Sequence, residues 1–326
     1  MASTSANPVL VIGATGRHGN TGGHLVRRLI EEGRAVRVLA RTRGERTDAL
    51  EGAGAEIIEG DLHERRSLVA ALADVDLAYF TYPIGAGIVS AAANYAAAVR
   101  EVGRNPRTVV MSMGPAHPAH PSRLGRDQWL AEHVLQWAGL DLLILRITAL
   151  FHQNLLVLHS RSIRDEGVIR SSFGTDPIGW INGIDAAEIG MAAMLHPDRF
   201  DGTVTYPLGP EGFSYAEVAA LLSELLGETI TFEQVGAEQW RRELIELSAL
   251  DDGEVVNTAM AQHISSVGAV HAGQGSTRGG GIDPGGLAAL TRRGAVPLRE
   301  FLIANLDAFR PVRIDSIDTE RSAYEL

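Results

Sequence analysis

The stretch Val9–Arg43 constrains this chain more than any other. Val9-Leu10-Val11-Ile12 is a short apolar run of buried-strand type. It breaks into Gly13-Ala14-Thr15-Gly16-Arg17-His18-Gly19-Asn20-Thr21-Gly22-Gly23, and an amphipathic run from His24 to Glu32 then ends at Gly33. Ala35 to Ala40 reads as the next strand. Strand, glycine loop, helix, strand is the βαβ unit that binds dinucleotides. A pyrophosphate needs backbone N–H groups aimed at it from a helix N-terminus, with no Cβ holding the chain away. Gly13 suits the sharp turn off the strand and Gly16 the close approach. The third position is open: Gly19 fits G-x-x-G-x-x-G literally, while Gly22 gives the helix ordinary length and is favoured. Thr15, Arg17, His18 and Thr21 then lie beside the phosphates.

The end of the second strand selects the dinucleotide. Where an NAD site places Asp or Glu to accept from the ribose 2′-hydroxyl, this chain has Arg41-Thr42-Arg43, with Arg46 just beyond. Guanidinium forks suit a 2′-phosphate. The sequence therefore predicts NADP(H), with Arg41 and Arg43 as ligands.

Further strands are expected at Ala55–Glu59, Asp76–Thr81, Thr108–Ser112 and Leu140–Arg146. Helices are expected at Glu45–Leu50, His63–Ala73, Ala91–Val102 and Arg126–Ala138. This alternation predicts an α/β fold, a Rossmann-type doubly wound parallel sheet over residues 8–150. Ligands of such sheets lie outside the strand C-termini, which points to Thr81, Tyr82, Ser112 and Met113. From 151 to 310 the rhythm changes to a smaller C-terminal α/β substrate lobe, interleaved with the first domain. Asp185 is expected to cap a helix ending at Leu195, and Ser214 with Glu217 to form a capping box. Residues 269–286, rich in glycine, read as a mobile loop, and 311–326 as a polar tail.

Composition excludes several classes. There is no cysteine, hence no disulfide, thiolate metal site or cysteine nucleophile. A net charge of −11 argues against a nucleic-acid surface. No apolar run reaches membrane-spanning length, and Met1–Pro8 lacks the regions of a signal peptide, so a cytoplasmic protein is expected. His117 and His120, flanked by prolines with no carboxylate nearby, make a poor metal site. No G-x-S-x-G elbow supports hydrolysis. Trp129 and Trp137 share a helix and are assigned to packing.

Taken in order, Gly13-Ala14-Thr15-Gly16, Gly60-Asp61-Leu62, Glu132–Leu140 leading into Leu145-Arg146, Phe151-His152-Gln153-Asn154 and Leu298-Arg299-Glu300-Phe301-Leu302 resemble the NmrA-like group of atypical short-chain dehydrogenases/reductases. The resemblance spans about Pro8 to Phe309. It implies that Asp61 and Leu62 lie against adenine, that Thr81, Tyr82 and Pro83 line the nicotinamide half, and that Asn154 lies near nicotinamide or substrate. Known members include NADPH-dependent quinone reductases and regulators that bind the cofactor without turnover. The chain departs from the wider reductase pattern in lacking a Tyr-x-x-x-Lys pair. Gln128 stands where catalytic relatives often keep a lysine, and it has no titratable proton near neutral pH. Ser112, at a strand end, and His152, on the same rim, are the remaining candidates for catalysis. The leading expectation is an NADP(H)-dependent reductase of a small apolar quinone, enone or carbonyl compound. A non-catalytic NADP(H)-binding redox sensor is the alternative.

Overall fold

The computed structural model describes residues 7–16, 19–250, 256–274 and 281–310. In its first half, strands and helices alternate as β1 (Val9–Ile12), α1 (Thr21–Glu31), β2 (Val36–Ala40), α2 (Glu45–Gly52), β3 (Glu56–Glu59), α3 (Arg65–Ala71), β4 (Leu77–Phe80), α4 (Ile88–Val102), β5 (Arg107–Met113), α5 (Arg123–Trp137) and β6 (Leu142–Ile147). There follow β7 (Leu150–Phe151), a π-helical turn (Leu155–His159), α6 (Ser160–Glu166), β8 (Val168–Ser171), β9 (Ile178–Ile181), α7 (Gly183–Leu195) and β10 (Val204–Thr205). The chain continues through β11 (Glu211–Phe213), α8 (Tyr215–Leu226), β12 (Thr231–Gln234), α9 (Ala237–Ser248), α10 (Thr258–Gln274), α11 (Gly286–Thr291) and α12 (Leu298–Ala304).

Seven strands form one parallel sheet in the order β10-β6-β5-β4-β1-β2-β3. The strand order reverses between β1 and β4, and a crevice opens beyond the strand C-termini at that point. The inner strands β1, β4 and β6 and neighbouring β2 are mostly buried on both faces, which is why they read as near-continuous apolar runs. On one face α1 and α7 pack over Val9, Val11 and Tyr79; on the other, α3, α4 and α5 cover Leu10, Ile12 and Phe80. A third core, around Trp180, Tyr215 and Trp240, belongs to the C-terminal part, with its own sheets β11-β9-β7 and β12-β8.

The two parts are threaded through one another. β10 pairs with β6 at the edge of the large sheet, and α7 contributes Ala186, Ile189 and Ala193 to its core. Glu188 of α7 takes His24 and Arg28 from α1 and Arg293 from beyond α11, all at 2.8–3.0 Å.

Several local expectations change. The cap of α7 is Asn182, whose side chain accepts from the Ile184 N–H, and Asp185 instead accepts from the Val296 N–H at 3.0 Å. An Asn-Gly pair ahead of the helix outcompetes an aspartate already inside its first turn. Residues 269–274, expected in a loop, continue α10, and Gly281 and Asp283 are tied to Gly209 by backbone hydrogen bonds. Residues 275–280 and the tail 311–326 lie outside the described residues. Trp137 is 68% exposed, and Trp129, His133 and Trp137 stack along the outer side of α5. The box at α8 forms as expected, with Ser214 and Glu217 each bonding the other's backbone N–H.

Candidate active site

The crevice at the switch point is a cavity of about 740 Å³. It runs from the loop after β1, past the arginines after β2, to the C-terminal end of β5. Its floor is the glycine loop. Gly13 has φ +83°, a left-handed conformation, and a Cβ there would overlap Thr81. Gly16 closes the turn by donating its N–H to the Gly13 carbonyl (3.2 Å), and a Cβ on it would meet only that carbonyl oxygen, at 3.3 Å. The close approach of helix to strand falls on Gly22: a Cβ there would lie 2.7 Å from the Gly13 carbonyl oxygen. Gly19, the other candidate, has φ +77° and lies against Gly183 at the start of α7. Thr15 and Thr21 line the cavity, Gly22 is buried beneath it, and Arg17 and His18 lie outside the described residues. This is a cradle that side chains would fill, at a helix N-terminus, and it fits a dinucleotide pyrophosphate.

The arginines after β2 differ from one another. Arg43 is held by Glu51 (2.9 Å) and Glu59 (3.2 Å), which raises its pKa. Arg46 donates to the Thr15 carbonyl at 3.0 Å. Arg41 has no partner among the described residues. All three line the cavity, with Asp61, Leu62, Thr81, Tyr82 and Pro83 opposite. Sequence reasoning noted Arg46 and did not assign it; its position in the first turn of α2 was the available signal. Tyr82 donates to the Ala86 carbonyl (3.0 Å) and bonds His63 Nε2 (2.9 Å). Partial burial and nearby Asp61 raise its pKa, which disfavours it as an acid.

The far end is apolar: Ile84, Met111, Met113, Phe151 and Met260 surround Ser112, Gln128 and Asn257. Ser112 donates to Glu132, which is 1% exposed. Arg146 grips the same carboxylate through Nε (3.0 Å) and Nη2 (2.5 Å) and reaches Tyr206 with Nη1 (2.7 Å). Gln128, 5% exposed, lines the cavity, and its side-chain amide has no partner among the described residues. Asn257 bonds the Ile84 carbonyl and caps α10 at Met260 N–H. Asn257 and Met260 were invisible to sequence reasoning, because a helix some 150 residues away in the chain folds back to supply them.

Two expected residues are not brought to this cavity. His152 is 0% exposed, packed against Phe301 (centroids 5.4 Å apart) and facing Asn182; burial pushes its pKa down to about 3. Its backbone N–H bonds Ile181, turning the ring into the C-terminal core and away from the strand-end rim. Asn154 is buried as well, its Oδ1 without a partner in the structure. Leu155, Phe173 and Trp180 fill that same core. Among the described residues no cluster of His, Asp and Glu can hold a metal, and no helix is long and apolar enough to cross a membrane.

Comparison with known proteins places this geometry. The chain is 32% identical over 235 residues (71% of its length, 78% of the relative's) to an NAD(P)H azoreductase from Xenophilus azovorans. Among solved structures it is similar to an NADPH-dependent quinone oxidoreductase from Escherichia coli complexed with NADPH. That match has a TM-score of 0.74 and 17% identity, covering 92% of this chain and 99% of the other. NmrA, a negative transcriptional regulator, matches at a TM-score of 0.69 and 16% identity over 91% and 94% of the two chains. The NmrA-like family profile matches residues 5–285. With the glycine cradle, the seven-strand parallel sheet and this span of matched sequence, the chain belongs to the NmrA-like family of Rossmann-fold proteins.

Proposed function

We propose that this protein is an NADP(H)-dependent reductase of a small, largely apolar quinone, enone or carbonyl compound. The observation that carries the reading is one continuous cavity with three chemically distinct parts: a glycine cradle, an arginine cluster and a methionine-lined end. The cradle and Arg41 with Arg46 would hold the pyrophosphate and the 2′-phosphate. When bound, NADPH supplies a hydride. The chain's own residues orient the acceptor. Met111, Met113, Met260 and Phe151 offer polarisable, adaptable contacts suited to flat conjugated molecules. Among the described residues named at this end there is no histidine or carboxylate, and the sequence contains no lysine. That favours quinones and enones, whose oxygen gains charge spread over a conjugated system, above simple ketones. The azoreductase relative supports a conjugated acceptor.

The test is NADPH consumption against a panel of quinones, enones, azo compounds and ketones. Turnover of quinones or enones above ketones is expected. Tight NADPH binding with no turnover of any compound would overturn the reductase reading. The redox-sensor alternative, to which the missing lysine lends weight, would then take its place.

A further inference from the structure

Ser112 has one hydroxyl hydrogen, and the structure spends it on Glu132. A carboxylate gripped by a guanidinium only accepts, so Ser112 must be the donor in that pair. What Ser112 turns towards the cavity is therefore lone pairs. The cavity's far end still needs a donor for an acceptor oxygen. Asn257 gives one amide hydrogen to the Ile84 carbonyl and accepts from the Met260 N–H, so its Nδ2 is held facing Ile84, and Tyr82 gives its hydroxyl hydrogen to Ala86. The Gln128 amide alone lines that end without a partner among the described residues.

We propose that Glu132 is a positioning residue that fixes Ser112 as a hydrogen-bond acceptor, leaving the Gln128 amide as the donor to the substrate's acceptor oxygen. The proposal rests on the reductase reading. Hydride from NADPH adds to the conjugated system of a quinone or enone, and the displaced π-electron pair settles on the carbonyl oxygen. The Gln128 N–H stabilises that charge without transferring its proton, which comes from water. Arg146 holds Glu132 in place, and Tyr206 steadies the far side of the guanidinium.

The test uses 1,4-naphthoquinone carrying ¹³C carbonyls, bound to the NADP⁺-loaded protein, where no hydride is available. Infrared difference spectra then read hydrogen bonding at the carbonyl directly. Gln128→Leu is expected to move the carbonyl band up, towards its position in apolar solvent. Ser112→Ala is expected to leave it in place. Glu132→Gln can donate to Ser112 and free its hydrogen for the cavity, so the band moves down, and Glu132→Gln with Ser112→Ala restores it. With NADPH, Gln128→Leu should lower kcat roughly 10- to 1,000-fold with little change in KM. Gln128→Glu should regain activity as pH falls and its carboxyl becomes a donor. A band shift with Ser112→Ala and none with Gln128→Leu would overturn the assignment. Should Glu132→Gln fail to fold, leaving Arg146 unpaired, the Ser112 and Gln128 variants still decide it, since both keep Glu132 and Arg146 paired. Quinone that binds to no form, the unmutated protein included, would instead overturn the reductase reading.

Discussion

Arg41 and Arg43 stand two residues apart after β2, yet only one of them is free for a ligand. Arg43 already satisfies two carboxylates, and a phosphate would have to compete with both. Arg41 has no such claim on it, and Arg46 sits over the glycine loop. Arg41→Ala and Arg46→Ala should therefore each weaken NADPH by about 1.5–3 kcal/mol, the range for a lost charge-assisted contact, with little effect on NADH. Arg43→Ala should cost less. Calorimetric titration with both nucleotides checks this, and equal NADPH and NADH affinities in the unmutated protein would refute it. The glycines make a second contrast. A Cβ at Gly16 meets only the Gly13 carbonyl oxygen, at 3.3 Å, so Gly16→Val should still fold and lose dinucleotide binding. At Gly22 the same side chain meets the Gly13 backbone, so Gly22→Val should lower stability by about 1–3 kcal/mol or more. Thermal melts alongside NADPH titrations separate the two outcomes.

At the scale of elements, α10 is the piece that closes the apolar end. Asn257 fastens its first turn to the loop after β4, while His263 on the same helix bonds Ser122, the cap of α5. Asn257→Ala removes the cap and the tie together. It should lower stability by about 0.5–2 kcal/mol and raise the acceptor KM more than it changes NADPH affinity. Unchanged kinetics in a destabilised variant would show that α10 does not shape the acceptor site. The elements of the first half were legible because each obeys a local rule: apolar strands of four to seven residues, amphipathic helices, glycine at helix ends. The arginines, the cradle and Ser112 were legible for the same reason, since strand C-termini mark the ligand crevice. His152 failed because being next to a strand end in sequence does not fix which way a side chain turns. Here a backbone bond to β9 directs it into the second core. Asn257 and Met260 depend on a long-range packing that no local pattern encodes.

At the scale of the whole molecule, burial lowers the pKa values of His152, His159 and His263 to about 3, about 3 and about 4. The unfolded chain protonates them near the ordinary value of 6.5, so between 6.5 and about 4 it binds more protons than the folded one. Stability therefore falls as pH drops through that window, by up to about 1.4 kcal/mol per pH unit for each histidine. Asp185, raised to about 6 by burial, acts in the opposite sense between about 4 and 6, and offsets one histidine. Denaturant midpoints at pH 7 and pH 5 should show a clear loss on acidification. A flat profile would mean that these rings are not buried in neutral form.

The interleaving of the two parts has a consequence for how the chain is born. After β6 leaves the ribosome, the large sheet still lacks its edge strand, and the face that α7 covers is bare. At 5–20 residues per second, β10 follows roughly 3–11 s later. Until then Tyr79 and the side of α1 that α7 covers have no lid, and β6 presents an unpaired edge. A nascent chain paused near residue 150 is thus a sticky intermediate and a natural client for a holding chaperone. A fragment cut there would not behave as an autonomous dinucleotide-binding domain.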